Sequence, residues 1–589
     1  MMKQYISWFL PKINGNISLP FLIIMFLCAL NLLFAHYYIM ANCQFEMEMS
    51  YPGYCDNLIG LTIDLCCFFL FAFIISIGRL KIALLVDFIF TLLWSFSNVL
   101  YSRFFEAYIS LSSMGQTTTL FDWLMFKCML HELRWIDLYY VISLIIFFFL
   151  YRKLDITRFR LKVLKHFVPF MLLLLVSDLF FHFVWCFSYP TRRYFTYYSD
   201  YMYKRHVSSD LFMCASRFTT YSRGFVRTLI CEYGIMSMGN IQLSLQQRKQ
   251  IKETGDMSRV SFSKRESLSP IENVIFIIVE SYMSFTSDLK INGIEITPNL
   301  NKLKRDPEVF YNGNLCPNIT VGESSDGQFI YMTGLLPLRS MLTISKASNM
   351  NRLPGLAKIL KEHLGLRTRM IIPTVSSMWK QEQMCRQYGF DELYSSSNYG
   401  DKHFGNLNDK EVFDLARSID SRVKLPFFSV ILTMSMHQPY DNYIDSSFNV
   451  EKTSLSKEQR CYLNACHYTD TQIGNYIDFL RKTGLYEKSL VVIASDHHVN
   501  KVSLHGDECE DCHNLPLYII NGSIDMHKCW KGRCNQLDVY PTLLNVLGLA
   551  PQWSGLGKSL LNTTYKNSVT DNSWKQSEWI ILGDFFAEK

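Results

Sequence analysis

Long apolar runs fill the chain up to about residue 190 and then stop, and no water-soluble core accommodates such a series. Spans are expected at roughly 19–40, 58–78, 82–101, 137–151 and 165–188. Most of them match the ~20 residues with which a helix crosses about 30 Å of hydrocarbon, the fourth being short. The first run has no small-residue cleavage site and is longer than a signal-peptide core, so it is expected to be retained. Lys3 and Lys12 precede it, Arg79 and Lys81 follow the second, and Arg152, Lys153, Arg158, Arg160, Lys162 and Lys165 follow the fourth. The loop 41–57 has neither Lys nor Arg. That asymmetry puts the amino terminus in the cytoplasm and everything after residue 190 outside it. The loop 101–136 would also lie outside, with Phe121–Trp135 flat at the interface. Asp64, Asp87 and Asp178 fall inside apolar runs and are read as packing or helix-end residues rather than lipid-handling ones.

With 589 residues the chain is too long for one core, and its halves differ in kind. Hydrophobic residues make up 49% and charged residues 19%, which excludes a disordered chain. The net charge of +6 is small for this length and a dense basic tract is lacking beyond one short loop, so no nucleic-acid partner is expected. Residues 1–190 are read as a five-span transmembrane domain, 191–262 as a helical connecting region, and 263–589 as an extracytoplasmic catalytic domain.

From about residue 270, short apolar runs at Val274–Val279, Met370–Ile372, Phe427–Leu432, Leu490–Ala494 and Leu517–Ile520 alternate with helical patterns. This alternation predicts a largely parallel sheet covered on both faces. One helix is well marked by Tyr462, Cys466, Thr469, Ile473, Tyr476 and Leu480, with Lys482 in its last turn and Gly484 as its stop. Outside the spans, Cys43/Cys55, Cys461/Cys466, Cys509/Cys512 and Cys529/Cys534 are near neighbours, and in an oxidising compartment such pairs suggest disulfides. A structural zinc site of Cys509, Cys512, Cys529 and Cys534 is the rival reading.

Ligands of open α/β sheets bind beyond the carboxyl ends of the strands. Three runs here end in chemistry: one in Glu280, one in the segment with His437, and one in Asp496 and His497. Glu, Asp and His together suit a divalent cation of intermediate hardness, such as Mn2+ or Zn2+. The fourth element is Gly322-Glu-Ser324-Ser325-Asp326-Gly-Gln328 before the apolar Phe329–Leu335. It reads as a helix cap, and equally as an anion site at a helix start, where a metal-bound hydroxyl becomes a nucleophile toward phosphorus.

In this combination the chain resembles the alkaline phosphatase/sulfatase superfamily, and most closely the lipoteichoic acid synthase-like phosphoglycerol transferases. The resemblance rests on the strand ending in Glu280, on Gly-Glu-Ser324-Ser-Asp, on Asp496-His497, and on His437 before a Pro-Tyr. Asn98–Ile109, Thr297-Pro-Asn-Leu300, Tyr468-Thr-Asp470 and Asp538-Val-Tyr-Pro-Thr542 support it. It implies a five-helix membrane domain followed by a sulfatase/alkaline phosphatase-like α/β domain. It also implies one divalent metal ion, Mn2+ with Zn2+ or Mg2+ as alternatives, on Glu280, Ser324, Asp496 and His497. Ser324 would be the nucleophile, and His437 a catalytic and substrate-binding residue. Trp379, Lys380 and Gln381 occupy the family's Trp-Asn-Arg headgroup segment, so the fixed charge of the Arg is missing and Lys380 is its candidate replacement. His513-Asn-Leu-Pro516 is similar to a substrate-side motif of phosphoethanolamine transferases.

The resulting expectation is a multi-pass cell-membrane enzyme that moves a phosphoglycerol-type headgroup from a phospholipid donor to an envelope glycan or glycolipid acceptor. A phosphoethanolamine transferase is the alternative. A sulfuric or phosphoric ester hydrolase of the sulfatase type fits less well, because Ser324-Ser-Asp-Gly-Gln lacks the Cys/Ser-x-Pro-x-Arg motif. A non-enzymatic membrane sensor would not need the full set of metal and nucleophile residues.

Overall fold

The computed structural model describes residues 19–42, 54–77, 79–105, 108–111, 130, 132–154, 224–226, 229, 240–257, 271–320, 322–339, 341–399, 406–422, 426–441, 443, 455–499 and 513–587. The chain divides into two compact units, Met1–Met114 with Met129–Ser237, and Gly115–Cys128 with Met238–Lys589.

The first unit contains helices α1 (Leu19–Asn42), α2 (Tyr54–Ile75), α3 (Leu80–Phe105) and α4 (Leu138–Lys153). Among the described residues, Leu19–Ile39, Leu80–Arg103 and Trp135–Lys153 are long and apolar enough to cross a membrane, and Gly60–Ile75 is a shorter apolar helix. The first four expected spans fall on these helices, and the fifth, 165–188, lies outside the described residues, as does most of Phe121–Trp135. Stacked Phe88 and Phe147, 3.9 Å between ring centroids, join α3 to α4.

Several polar groups inside this unit are paired with one another, as burial away from water favours. Asp64 lies 3.0 Å from His36 Nε2 and accepts the backbone N–H groups of Phe225 and Val226 at 2.8 and 2.9 Å. A Cβ on Gly224 would stand 2.6 Å from the Asp64 carboxylate, so only glycine fits this approach. Arg103 grips Asp137 through both terminal nitrogens, at 2.6 and 2.9 Å. Asn98 accepts the N–H of Ile109 at 3.0 Å. Asp87 is fully buried in α3, and Asp178 lies outside the described residues.

The second unit is built on strands β1 (Asn273–Val279), β4 (Phe310–Cys316), β5 (Arg367–Ile371), β6 (Glu392–Tyr394), β7 (Phe427–Leu432), β8 (Ser489–Ser495), β9 (Leu515–Ile520) and β10 (Cys534–Asn535). They form one eight-stranded sheet in the order β10-β4-β9-β8-β1-β7-β5-β6. β2 (Lys290–Ile291) and β3 (Ile294–Glu295) pair separately. From β8 to β6 all neighbours are parallel, while β9 runs antiparallel to both β8 and β4. The all-apolar runs become central strands because both their faces are covered, and every residue of β1, β7 and β8 is buried.

The helices are α5 (Leu245–Met257), α6 (Pro298–Arg305), α7 (Ser324–Thr333), α8 (Leu356–Leu364), α9 (Gln381–Tyr388), α10 (Asp409–Asp420), α11 (Lys457–Lys482), α12 (Val539–Val546) and α13 (Asp571–Leu582). One face of the sheet, with Ile275, Ile277 and Val279, packs on α10 and α11 in a common core. The opposite face carries Phe276 against Tyr331 of α7, 5.2 Å between ring centroids. The predicted helix around 462–480 is α11, started by a Ser456/Gln459 capping box and followed by Gly484 at φ +70°.

Two expected disulfides are corrected. Cys461 and Cys466 are free thiols, because five residues along a helix turn their side chains about 140° apart. Cys529 and Cys534 are also free: Cys529 Sγ faces the Asp525 carbonyl at 3.1 Å, and Cys534 Sγ accepts from Asn312 Nδ2 at 3.4 Å. Cys509 and Cys512, and the side chains of Cys43 and Cys55, lie outside the described residues.

Candidate active site

The register of the central strands assembles the site. Val279 of β1 stands opposite Ser495 of β8, so the next residue of each, Glu280 and Asp496, emerges at the same level of the sheet edge. Both are buried, as is the adjacent His497. One ligand atom from each of the three lies within 4.8 Å of the other two. His497 Nε2 is 3.1 Å from Glu280 Oε1 and 3.8 Å from Asp496 Oδ2. Its Nδ1 lies 2.8 Å from the carbonyl of His498, which can only accept. The Nδ1 therefore carries a proton, and Nε2 donates to Glu280 when the ring is charged and offers its lone pair to a cation when it is neutral.

Ser324 completes the cluster. Its hydroxyl donates to Glu280 Oε2 at 3.1 Å and lies 3.1 Å from His497 Nε2. Ser325 faces elsewhere: its hydroxyl is buried and donates to the Gly322 carbonyl at 2.8 Å. Asp326 holds the loop from within, with Oδ2 accepting from the Thr320 N–H, the Thr320 hydroxyl and the Gly322 N–H at 2.9, 2.7 and 3.0 Å. A Cβ on Gly322 would come 2.3 Å from Asp326 Oδ1, and one on Gly327 would come 2.3 Å from the Asp496 carbonyl. These two glycines let the loop close and let α7 touch the end of β8.

The local backbone departs from the cap geometry expected from sequence. Ser324 is the first residue of α7, and Glu323 takes the cap position at φ +41°, ψ −113°, a strained conformation for a residue with a Cβ. The N–H groups of Ser325, Asp326 and Gly327 are bonded to the carbonyls of Gly322 and Glu323. The helix-start reading expects first-turn N–H groups to face an anion, whereas these three are engaged within the turn itself.

The electrostatics of the cluster are those of two buried acids sharing one imidazole. Burial pushes Glu280 up, but the hydrogen bond and charge of His497, with a contribution from His437, bring it down to about 2. Burial and the neighbouring Glu280 charge push Asp496 up to about 7. Burial disfavours the charged form of His497, yet Asp496 and Glu280 hold it well above the usual imidazole range. The donor set of two carboxylates, one imidazole nitrogen and a hydroxyl fits a divalent cation, which would supply the positive charge these acids compete for.

The remaining candidates are less tightly joined. His437 follows β7, and its Nδ1 lies 2.7 Å from the Gln438 carbonyl, so any further bond of the ring runs through Nε2. Trp379 and Lys380 both adopt left-handed backbone, φ +50° and +52°. Lys380 is tied to Ser348 Oγ at 3.2 Å rather than to the acid cluster. Gln381 is buried and donates to Gln328 Oε1 at 2.9 Å, one helical turn below Ser324. His513 packs edge-on against His498, 5.2 Å between ring centroids.

Sequence reasoning missed Ser281. It sits at φ +52°, donates its hydroxyl to Glu280 Oε1 at 2.8 Å and its N–H to Asp496 Oδ1 at 2.8 Å. Its one sequence signal is that it follows the strand-end Glu280. Gln536 was also missed, and its Nε2 donates to the Asp496 carbonyl at 2.6 Å.

Residues 272–549 match the Sulfatase family model. The chain is 30% identical to lipoteichoic acid synthase 2 of Bacillus subtilis over 312 residues, 50% of this chain and 46% of that protein. It is 25% identical to the lipoteichoic acid synthase of Staphylococcus aureus over 426 residues, 68% of this chain and 61% of that protein. Thus the chain spans about half to three fifths of the length of these curated relatives. Among solved structures it is similar to the lipoteichoic acid synthase LtaP from Listeria monocytogenes, with a TM-score of 0.45 and 21% identity, covering 53% of this chain and 81% of that one. Residues 272–549 therefore match the Sulfatase family, and the chain is similar to lipoteichoic acid synthases over half to two thirds of its own length.

Proposed function

We propose that the chain is a membrane-bound, metal-dependent transferase that moves a phosphoglycerol-type headgroup from a phospholipid to a glycan or glycolipid acceptor. The observation that carries this reading is the Ser324 hydroxyl held 3.1 Å from both Glu280 and His497 beside Asp496. Glu280, Asp496, His497 and Ser324 would hold one divalent cation, Mn2+ in our reading with Zn2+ or Mg2+ as alternatives. When bound, such a cation lowers the pKa of a coordinated hydroxyl.

The chain's own residues do the rest. Ser324, its hydroxyl proton released to solvent, bonds through Oγ to the phosphorus of the donor diester, and the bond from phosphorus to the diacylglycerol oxygen breaks. His437 protonates that leaving oxygen. An acceptor hydroxyl, its proton taken back by His437, then displaces Ser324, and the headgroup phosphate leaves as a diester of the acceptor. Ser281 positions the acids by bonding Glu280 and Asp496 together.

Trp379, Lys380, Gln381 and His513 are the proposed headgroup wall. The Gln328–Gln381 amide pair, standing where a guanidinium is expected, favours an uncharged polyol headgroup read by hydrogen bonds. The apolar helices make this a multi-pass protein in our reading, with residues 263–589 outside the cytoplasm, where both donor lipid and diacylglycerol are within reach.

The test is headgroup release from defined lipids by the full chain in a bilayer, with and without added Mn2+. Metal-dependent formation of diacylglycerol from phosphatidylglycerol supports the reading. Formation only from phosphatidylethanolamine would replace the headgroup, and release of sulfate from a sulfate ester alone would overturn the transferase class.

A further inference from the structure

A cavity lies within the second unit, away from the acid cluster. It encloses about 900 Å3 between α5, the start of α8, the segment 550–553 and the turn at Phe585 and Phe586. Four cations line it, Arg248 and Lys252 from α5, Arg352 from the preceding loop of α8, and Lys358 from α8 itself. Against them stands one acid, Glu362. Among the described residues Lys252, Arg352 and Lys358 form no ion pair within 4 Å, although Lys358 and Glu362 are one helical turn apart. Three cations without ion pairs, drawn from two elements, line one concave surface, and this surplus of positive charge favours an anion there.

The floor of the cavity is aromatic. Trp553 is buried, packs edge-to-face on Phe586 at 5.2 Å between ring centroids, and approaches Gly255 so closely that a Cβ there would lie 3.2 Å from its ring. A floor of this kind favours an organic anion with an apolar face over inorganic phosphate. The indole N–H of Trp553 donates to the Thr333 carbonyl at 2.9 Å. Thr333 is the last residue of α7, the helix whose first residue is Ser324. Ten residues of helix put the cavity about 15 Å from the nucleophile, too far to be part of the same subsite.

We propose that this cavity is an exosite for a phosphodiester-bearing anion with a glycerol-like or acyl body, held by Arg352, Lys358, Lys252 and Arg248 over Trp553. The inference rests on the transferase reading for where such diesters come from. Two sources share this chemistry: the headgroup of an anionic phospholipid, and the soluble phosphodiester chain of the product.

The test is hydrogen exchange on the full chain carrying Ser324→Ala, so that binding is read without turnover. One arm compares phosphatidylcholine nanodiscs with nanodiscs that also contain phosphatidylglycerol. The other adds soluble glycerophosphoglycerol to the phosphatidylcholine nanodiscs. Slower exchange in peptides covering 245–257 and 356–364 is expected in at least one arm, and the arm that responds identifies the source. Arg352→Gln with Lys358→Gln should weaken the effect about 10-fold, as the loss of two charge-assisted contacts predicts. Lys252→Glu, on an exposed face of α5, should act in the same direction without disturbing packing. No protection in either arm, or protection equal in all variants, would overturn the exosite. Metal-dependent lipid turnover by the unmutated chain is measured separately, so loss of the exosite and loss of the transferase reading give different results.

Discussion

At the scale of single residues, two adjacent serines divide the work. Ser324 Oγ meets Glu280 and His497, whereas Ser325 Oγ is committed to the Gly322 carbonyl. Ser324→Ala should abolish headgroup transfer while leaving the unfolding transition near its original midpoint. Ser325→Ala should cost about 1 kcal/mol of stability through the lost buried hydrogen bond and still form the covalent intermediate. Peptide mass mapping after incubation with donor lipid checks both, and a headgroup-phosphate adduct on Ser325 would reverse the assignment. The four cluster residues were legible in the sequence because each ends an apolar run or opens one, and a strand end is where such side chains meet. Ser281 was not legible, since a serine after a strand carries no signal of its own. Its role comes from the left-handed backbone that turns its hydroxyl toward Glu280 and its N–H toward Asp496.

Among elements, the site depends on how closely α7 lies against the end of β8. Gly327 makes that approach possible, because a Cβ there would meet the Asp496 carbonyl at 2.3 Å. Gly327→Ala should therefore move Ser324 off the acid pair and weaken metal binding at least about 10-fold, as near misplacement of a reacting group does. Calorimetric titration with Mn2+ measures this, and unchanged affinity would mean that α7 has room to spare. A second contact ties α11 to α6. Asp470 accepts the Asn299 N–H, the Asn299 side-chain amide and the Leu300 N–H at 3.0, 2.8 and 2.7 Å. Asp470→Ala orphans these donors at the start of α6 and should cost about 2–3 kcal/mol in denaturant unfolding. Five strands were readable because each contains an apolar run. β4, with its Asn312-Gly-Asn314 interior, and β10, only two residues long, carry no such run and form only where neighbours supply their partners. The direction of β9 was equally hidden, since an antiparallel strand buried on both faces has the composition of a parallel one.

For the whole molecule, metal and topology are the readable consequences. A cation held by Glu280, Asp496, His497 and Ser324 would link α7 to the sheet, so stripping it with a chelator should lower the unfolding midpoint. At a metal concentration 100-fold above the dissociation constant the difference is about 2.7 kcal/mol, and readdition should restore it. A phosphatase reporter fused after Lys589 should be active outside the cytoplasm, and activity confined to a cytoplasmic reporter would reject the five-span reading. The sheet order has a consequence for the order in which the chain is made. β1 is the first strand synthesised, yet it lies at the centre, between β7 and β8. Its Asn273 meets a partner 154 residues later, and the loop after it closes on Asp496 across 215 residues. At ribosomal speeds of ~5–20 residues per second, the apolar β1 waits roughly 8–30 s with both edges open. Newborn chains that stall before Phe427 therefore expose a ready template for wrong pairing, and the cell must shelter them until the centre of the sheet can close.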